Sequence, residues 1–317
     1  MNQLSVKVTK KVQEAEDIIS FELLSVDGRP LPPFSAGSHI DVHLGDGLVR
    51  QYSLCNDPSE QHRYLIGVLR DPNSRGGSVA MHDVAQGAVL QISEPRNHFA
   101  LVPAKRTLLF AGGIGVTPIL CMAERLARID ADFEMHYCSR SPQRTAFQAR
   151  IAGSTFADRV HFHFDTGAAE QKLDVAGLTA QPNPDTHLYV CGPGGFIEHV
   201  LNTAKSQGWP SAQLHVEYFG AEPQETSGDA PFDVKVASTG KVYSIPADKT
   251  IIAVLEEHGI DLPVSCEQGV CGTCITRVLE GTPDHRDKYF TDDEHAKNDQ
   301  FTPCCSRSKS ALLVLDI

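Results

Sequence analysis

Cys266-Glu267-Gln268-Gly269-Val270-Cys271-Gly272-Thr273-Cys274 is the stretch that decides how this chain is read. Its cysteines are spaced C-x4-C-x2-C, and Cys304 follows after 29 intervening residues (275 to 303). This is the plant-type spacing for a [2Fe–2S] cluster, in which a distant fourth thiolate closes the ligand set. A loop around such a compact group must turn three sulfurs inward while its amides face the cluster sulfides. Gly269 and Gly272 suit a backbone that bends sharply and approaches closely. Zinc sites favour paired C-x2-C units, and only one such pair is present. A disulfide framework belongs to oxidising compartments. Here nine cysteines, an odd number, accompany an N-terminus (Met1 to Lys7) without the basic and apolar regions of a signal peptide. The expectation is a one-electron carrier in the cytoplasm with Cys266, Cys271, Cys274 and Cys304 as metal ligands. Cys305, adjacent to Cys304, is expected to pack or lie idle.

Around this loop the sequence reads as a small mixed sheet crossed by one helix. Phe232–Ala237 and Val242–Ile245 flank a hairpin signal at Ser238-Thr239-Gly240. Thr250–His258 is an amphipathic helix stopped by Gly259. Thr291-Asp292-Asp293-Glu294 has the form of a capping box, and Leu312–Leu315 is a closing strand. Upstream, Gly220–Pro231 is polar, turn-rich and without periodicity, which is the character of a linker.

Further toward the N-terminus the pattern changes twice. From Thr107 strands alternate with helices: Thr107–Phe110, Phe133–Cys138, Val160–Phe164 and Leu188–Cys191 are compact apolar runs. Helices are expected over Pro118–Ile129, near Arg144–Ala152 and over Phe196–Gln207. This is the signature of a parallel sheet with covering helices. The first hundred residues carry short runs, Leu4–Val12, Ile18–Val26, His39–Leu44, Leu48–Leu54 and Tyr64–Leu69, punctuated by Gly, Pro and Asp turns. They predict an antiparallel β-barrel with one helix near Ser78–Val84. The expected fold is thus multidomain, α+β and α/β. Residues 1–103 form the barrel, 104–222 the α/β domain, 223–231 the linker and 232–317 the cluster domain.

Composition narrows the partners. The 317-residue chain has a net charge of −12, which disfavours nucleic acid, because phosphate contacts need clustered Lys and Arg. No apolar run approaches the ~20 residues that span a bilayer.

Two further constellations carry chemistry. Arg50-Gln51-Tyr52-Ser53-Leu54 lies on a strand, with Arg50 and Tyr52 on one face and Ser53 on the other. Arg50 can hold a phosphate bidentately and Tyr52 can pack on a planar ring. Arg75-Gly76-Gly77-Ser78, before a helix, offers amides to an anion. Gly112-Gly113-Ile114-Gly115-Val116-Thr117-Pro118 joins a strand to a helix. It departs from G-x-G-x-x-G, yet its glycines still let backbone approach a pyrophosphate. Cys191-Gly192-Pro193-Gly194-Gly195 ends another strand, where open parallel sheets place their ligands. Cys191 there could lie against a nicotinamide or be a buried small residue. A hydride carries two electrons and a [2Fe–2S] cluster accepts one, so a flavin is expected to divide the pair.

With these motifs in this order, the whole chain resembles the phthalate dioxygenase reductase and vanillate O-demethylase reductase group of the ferredoxin–NADP reductase superfamily. Glu94-Pro95-Arg96-Asn97-His98-Phe99, Pro283-Asp284-His285-Arg286-Asp287 and Cys305-Ser306-Arg307 add to the likeness. The resemblance implies an FMN-binding barrel, an NADH-binding α/β domain and a β-grasp ferredoxin domain that passes electrons to a separate Rieske-type oxygenase. It implies that Arg50, Gln51, Tyr52 and Ser53 contact the flavin, with Gly76, Gly77 and Ser78 at its phosphate. By the same likeness Gly112, Gly113, Gly115, Thr117, Cys191, Gly192 and Pro193 hold the pyridine nucleotide, and Phe219 lies near the flavin ring. The short barrel shows no aromatic platform for an adenine, which favours FMN over FAD. Where an acidic residue would hold the NAD ribose, the chain has Ser139 and Arg140, which could accommodate a 2′-phosphate. The family tendency is NADH, and NADPH stays open. A monomer is expected. The rivals are a reductase for a diiron monooxygenase or other one-electron acceptor, and a non-catalytic redox sensor.

Overall fold

The computed structural model describes residues 3–45, 47–72, 74, 76–220 and 226–317. Arg75 and residues 223–225 of the expected linker lie outside the described residues. The chain forms two compact units, Met1–Phe219 and Gly220–Ile317.

The first unit opens with strands β1 (Gln3–Ala15), β2 (Ile18–Ser25), β3 (Ser38–His43), β4 (Val49–Ser53) and β5 (Tyr64–Leu69). Helix α1 (Gly77–Asp83), β6 (Val89–Ser93) and the short β7 (Arg96–Asn97) follow. The strands pair antiparallel in the order β4-β3-β6-β1-β2-β5, with β7 on β3. A bridge between Leu54, just past β4, and Ile66 in β5 brings the two ends of this order together, so the sheet curls into a barrel. Alternation explains its interior: Val6, Val8, Phe21, Leu23, Ile40, Val42, Ile66 and Val68 all point inward and are buried.

A second sheet follows in the same unit. It comprises β8 (Arg106–Gly112), α2 (Val116–Arg128), β9 (Asp132–Ser139), α3 (Gln148–Ala152), β10 (Val160–Phe164), α4 (Val175–Thr179), β11 (Thr186–Cys191), α5 (Gly194–Ser206) and β12 (Leu214–Glu217). All neighbours are parallel, in the order β10-β9-β8-β11-β12. The central strands are apolar on both faces because helices cover both sides. Barrel and sheet meet along a tight seam. A side chain at Gly67 in β5 would collide with Thr117 Cγ2 at 2.9 Å and the Phe147 ring at 3.1 Å. The helix expected over Arg144–Ala152 is cut to its last turn and a half. Phe147 takes a left-handed backbone (φ 60°) and drives its ring into this seam, almost fully buried.

The second unit contains β13 (Phe232–Val236), β14 (Val242–Ile245), α6 (Ile251–Glu257), β15 (Thr276–Glu280), β16 (Pro283–Asp284), α7 (Asp292–His295), β17 (Gln300–Phe301), β18 (Arg307–Ser308) and β19 (Leu312–Leu315). Its main sheet runs β14-β13-β19-β15-β17, and β13 and β19 are its parallel pair. Helix α6 is capped by the Thr250 hydroxyl, ends at Gly259 (φ 75°) and packs Ile251, Val254 and Leu255 on the sheet. The capping box at Thr291 and Glu294 forms as the spacing predicts.

Part of the expected linker belongs to this unit. Asp229 pairs with Arg286, and Arg307 lies 3.4 Å from the same carboxylate. Arg307 also donates to the carbonyls of Lys249, Ala230 and Pro246. No helix among the described residues is long and apolar enough to cross a membrane.

Candidate functional site

The glycine turns of the first unit are built against each other. After β8 the chain tightens into a single 3-10 turn, Gly113–Gly115, before α2 begins at Val116. The expected helix therefore starts two residues early, and Pro118 sits within its first turn. A Cβ on Gly115 would lie 2.3 Å from the Cys191 carbonyl oxygen, and one on Gly192 would lie 2.9 Å from Gly112 Cα. Gly112 is covered by Pro193 and Phe196 from the start of α5. Only glycine lets these two strand-to-helix turns touch. Gly113, by contrast, has a left-handed backbone (φ 54°) with open space where a side chain would stand. Thr117 is buried and its hydroxyl is spent on the Ile114 carbonyl, 3.0 Å away.

β4 reaches this region from the barrel. Ser53 donates to Glu217 at the end of β12, Oγ to Oε2 3.2 Å. Glu217 in turn lies close enough to Cys191 to push its thiol higher. Desolvation by the packed barrel and sheet raises the Glu217 carboxyl above the usual carboxylate range, to about 8, while its side chain is half-buried at the end of β12. Burial likewise raises the Cys191 thiol, so this sulfur is a neutral group rather than a thiolate. Nothing in the sequence marked Glu217: its partner Ser53 is 164 residues away, and the contact exists only once barrel and sheet have docked. Phe219, just beyond, is 41% exposed.

The other face of β4 carries Arg50 and Tyr52. A Cβ on Gly77 would strike the Arg50 side chain at 2.4 Å, so Arg50 lies directly over the first turn of α1. The two phosphate-type elements of the sequence are thereby brought together. Gly76 caps α1 with a positive φ of 88°. The Ser78 hydroxyl accepts the Asp71 amide at 3.1 Å, holding the preceding loop. Tyr52 packs against the barrel core, where burial pushes its phenol up, and Gln51 is half-buried. A basic side chain over a helix start is a donor set that fits a phosphate. At the turn after β9, Ser139 is buried and its hydroxyl bonds Thr145 and the Ser141 carbonyl. Ser139 is thus committed to the turn itself, while Arg140 is exposed.

In the second unit the four predicted ligands converge. Cys271, Cys274 and Cys304 are buried and Cys266 half-buried. Cys266 hydrogen-bonds both Cys271 and Cys304, and Cys304 also bonds Cys274. Amides of Gln268 and Thr273 point at Cys266 Sγ (3.4 Å) and Cys271 Sγ (3.5 Å). Four enclosed sulfurs cannot all ionise beside one another without positive charge among them. That donor set, with amides turned toward it, fits an iron–sulfur cluster. Cys305 stands beside the group, its thiol sharing a hydrogen bond with Cys304 and also reaching Thr302 and Ser306. Gly269 (φ 68°) and Gly272 (φ 69°) are both required: a Cβ on the first would lie 2.4 Å from Cys305 Sγ, on the second 2.4 Å from the Tyr289 ring.

The family-typical segments act as frame. Arg96 grips the Asp41 carboxylate at 2.6 Å, and the Asn97 side chain ties the Ala36 carbonyl to the Phe99 amide. Arg286 links Asp284 to Asp229.

Comparison with known proteins agrees with this geometry. Residues 234–309 match the family of 2Fe-2S iron-sulfur cluster binding domains. The chain is 60% identical to the vanillate O-demethylase oxidoreductase of Pseudomonas putida, over 98% of both chains. It is 41% identical to a phthalate 4,5-dioxygenase oxygenase reductase subunit, also of Pseudomonas putida, covering 98% of this chain and 96% of that one. Among solved structures, phthalate dioxygenase reductase, described as modular for electron transfer from pyridine nucleotides to [2Fe-2S], superposes with a TM-score of 0.77. The two share 39% identity over 100% of this chain and 98% of that chain. Barrel, parallel sheet and four-cysteine unit occur here in one chain that matches these proteins end to end, and it belongs to the vanillate O-demethylase oxidoreductase and phthalate dioxygenase reductase family of flavin and iron–sulfur reductases.

Proposed function

We propose that this protein is the NADH-dependent reductase component of a two-component Rieske-type oxygenase system. Electrons leave NADH through FMN and the [2Fe–2S] cluster to the oxygenase. The observation that carries the reading is the convergence of Cys266, Cys271, Cys274 and Cys304 on one enclosed point, on a chain whose other unit has the paired glycine turns of a pyridine-nucleotide site. When bound, the flavin takes up a hydride's electron pair and releases electrons singly to the cluster.

The chain's own residues position and insulate. Arg50, over Gly77 and beside Ser78, holds the flavin phosphate; FMN needs no further platform. The opposed turns at Gly112–Gly115 and Cys191–Pro193 keep side chains out of the nicotinamide path, and Arg140 faces the adenosine end. Protonated Glu217 and neutral Cys191 keep fixed negative charge away from a ring that must gain electrons. Ser53, fixed by Glu217, sets the position of the flavin edge. No side chain is needed as nucleophile. Nine free cysteines accord with a cytoplasmic setting. The 60% identity to a vanillate O-demethylase oxidoreductase makes an O-demethylase acting on vanillate the first partner to test.

The test pairs wild type with Cys274→Ala. With an oxygenase of this kind present, the variant is expected to lose NADH-driven turnover of the oxygenase while NADH still reduces its flavin. Unchanged oxygenase turnover in the variant would remove the cluster from the route.

A further inference from the structure

Behind the cluster loop lies a second group of metal-type donors that the electron route does not use. His285, Asp287 and His295 each bring one donor atom to a common point, with all three atoms within 4.8 Å of one another. Asp287 has no side-chain exposure, His285 has 9% and His295 23%. Two of the donor atoms, His285 Nδ1 and Asp287 Oδ1, are buried without a hydrogen-bond partner and face each other at 3.9 Å.

The hydrogen bonds around them say which kind of atom is orphaned. Asn298 donates through its amide nitrogen to the Ala296 carbonyl, which leaves its side-chain oxygen to accept from His285 Nε2 at 3.2 Å. A proton on Nε2 leaves the lone pair of the neutral ring on Nδ1. A nitrogen lone pair and a carboxylate oxygen therefore confront each other in a buried space with no hydrogen between them. Such an arrangement is costly unless a cation stands there.

The third donor completes a set. His295 Nε2 is hydrogen-bonded to Asp287 Oδ2 at 3.1 Å, a proton that a bound ion would displace, and its ring stacks on His285 with centroids 4.4 Å apart. The three donor atoms lie within 4.8 Å of one another, so shifts of about an ångström bring them to the roughly 3.3–3.6 Å spacing of ligands around a tetrahedral ion with bonds of about 2.0–2.2 Å. Asp287 Oδ2 is anchored by the amides of Tyr289 and Phe290, which fixes the carboxylate and leaves Oδ1 facing His285 Nδ1. Asn298 supplies the outer hydrogen bond that ligating imidazoles need. His295, the most exposed of the three, opens the point to solvent beside the acidic first turn of α7, Asp292, Asp293 and Glu294.

We propose that His285 Nδ1, Asp287 and His295 Nε2 form a binding site for one divalent first-row transition ion of the zinc class, with solvent in the remaining position. Two imidazoles and a carboxylate are hard to borderline ligands, suited to zinc rather than to calcium or magnesium. The site is structural: Asp287 Cα and Cβ lie against Gly269, so the ion would brace the back of the cluster loop.

The experiment uses the holoprotein with flavin and cluster in place. It is dialysed against zinc(II) in a weakly chelating buffer, and zinc and iron are counted together. The expected result is one zinc per chain at undiminished iron content, with only nitrogen and oxygen in the zinc shell by X-ray absorption. His295→Gln, a change at a partly exposed position, is expected to weaken zinc retention by more than the roughly 10–100-fold that loss of an outer partner costs, again at undiminished iron. No retained zinc would mean that water or a proton fills the space, and would overturn the proposal. Sulfur in the zinc shell at about 2.3 Å, or equal retention by His295→Gln, would overturn it as well.

Discussion

On the proposed reading, the cluster loop and the paired glycine turns both hold backbone close to a guest, but by different means. In the loop the guest's ligands are themselves residues, so Cys266, Cys271, Cys274 and Cys304 must stand at fixed intervals, and glycines at 269 and 272 admit left-handed bends. In the turns the guest meets absence: Gly115 lies on the Cys191 carbonyl and Gly192 on Gly112, and no side chain defines the space. A ligand set written in side chains is readable from spacing. A cleft formed by two distant turns is readable only as two weak motifs until the sheet places them side by side.

The sharpest way to break this contrast is at the adjacent cysteines. Cys304→Ala is expected to abolish the cluster, so that iron per chain falls to near zero, while Cys305→Ala retains it. Iron and sulfide analysis with visible spectra decides between them, and equal retention would reverse the ligand assignment. In the first unit, Gly115→Ala puts a methyl group 2.3 Å from the Cys191 carbonyl. Overpacking of this kind costs about 1–3 kcal/mol, and misplacing reacting groups by an ångström can cost about 100-fold in rate. Stopped-flow flavin reduction by NADH should slow by that order, with cluster content unchanged.

Next comes the anchoring of the second unit. Asp229→Asn removes a carboxylate, 5% exposed as a side chain, from between Arg286 and Arg307. Charge-assisted bonds of this type contribute about 1.5–3 kcal/mol, a loss that denaturant unfolding would register. Arg286 holds this carboxyl below its ordinary 3.8. Its contribution is therefore complete above pH 3.8 and disappears as pH falls through the lower folded value.

Glu217 supplies a test of the opposite sign. Its folded value is about 8 against an ordinary 4.5. Between these values the native state keeps a proton that the unfolded chain has released, so stability declines as pH rises across that window. Glu217→Gln should keep the contact with Ser53 and flatten the slope. An unchanged pH profile of stability would show that Glu217 is ionised in the folded protein.

Much of the fold was legible because periodicity and turn chemistry agree locally. The barrel strands alternate, the parallel strands are continuous apolar runs, and Thr291 with Glu294 caps its helix as spaced. What escaped was short or tertiary. Val89–Ser93 and Leu214–Glu217 are only five and four residues long and are interrupted by polar residues. Arg144–Ala152 has helical composition, but Phe147 gains more by burying its ring against Gly67 than by continuing a helix. Asp229 looks like linker because its partners, Arg286 and Arg307, lie over fifty residues away. Ser139 looks available to a ribose, yet the turn claims its hydroxyl.

The central claim, that one chain takes a pair of electrons from NADH and delivers them singly through its cluster, is tested most directly by anaerobic titration of the holoprotein with NADH under visible and EPR detection. The flavin bands and the broad cluster absorbance are expected to bleach in the same titration, with the EPR signal of a reduced [2Fe–2S] cluster appearing. Bleached flavin beside a cluster that stays oxidised at excess NADH, or holoprotein without flavin bands, would contradict the account.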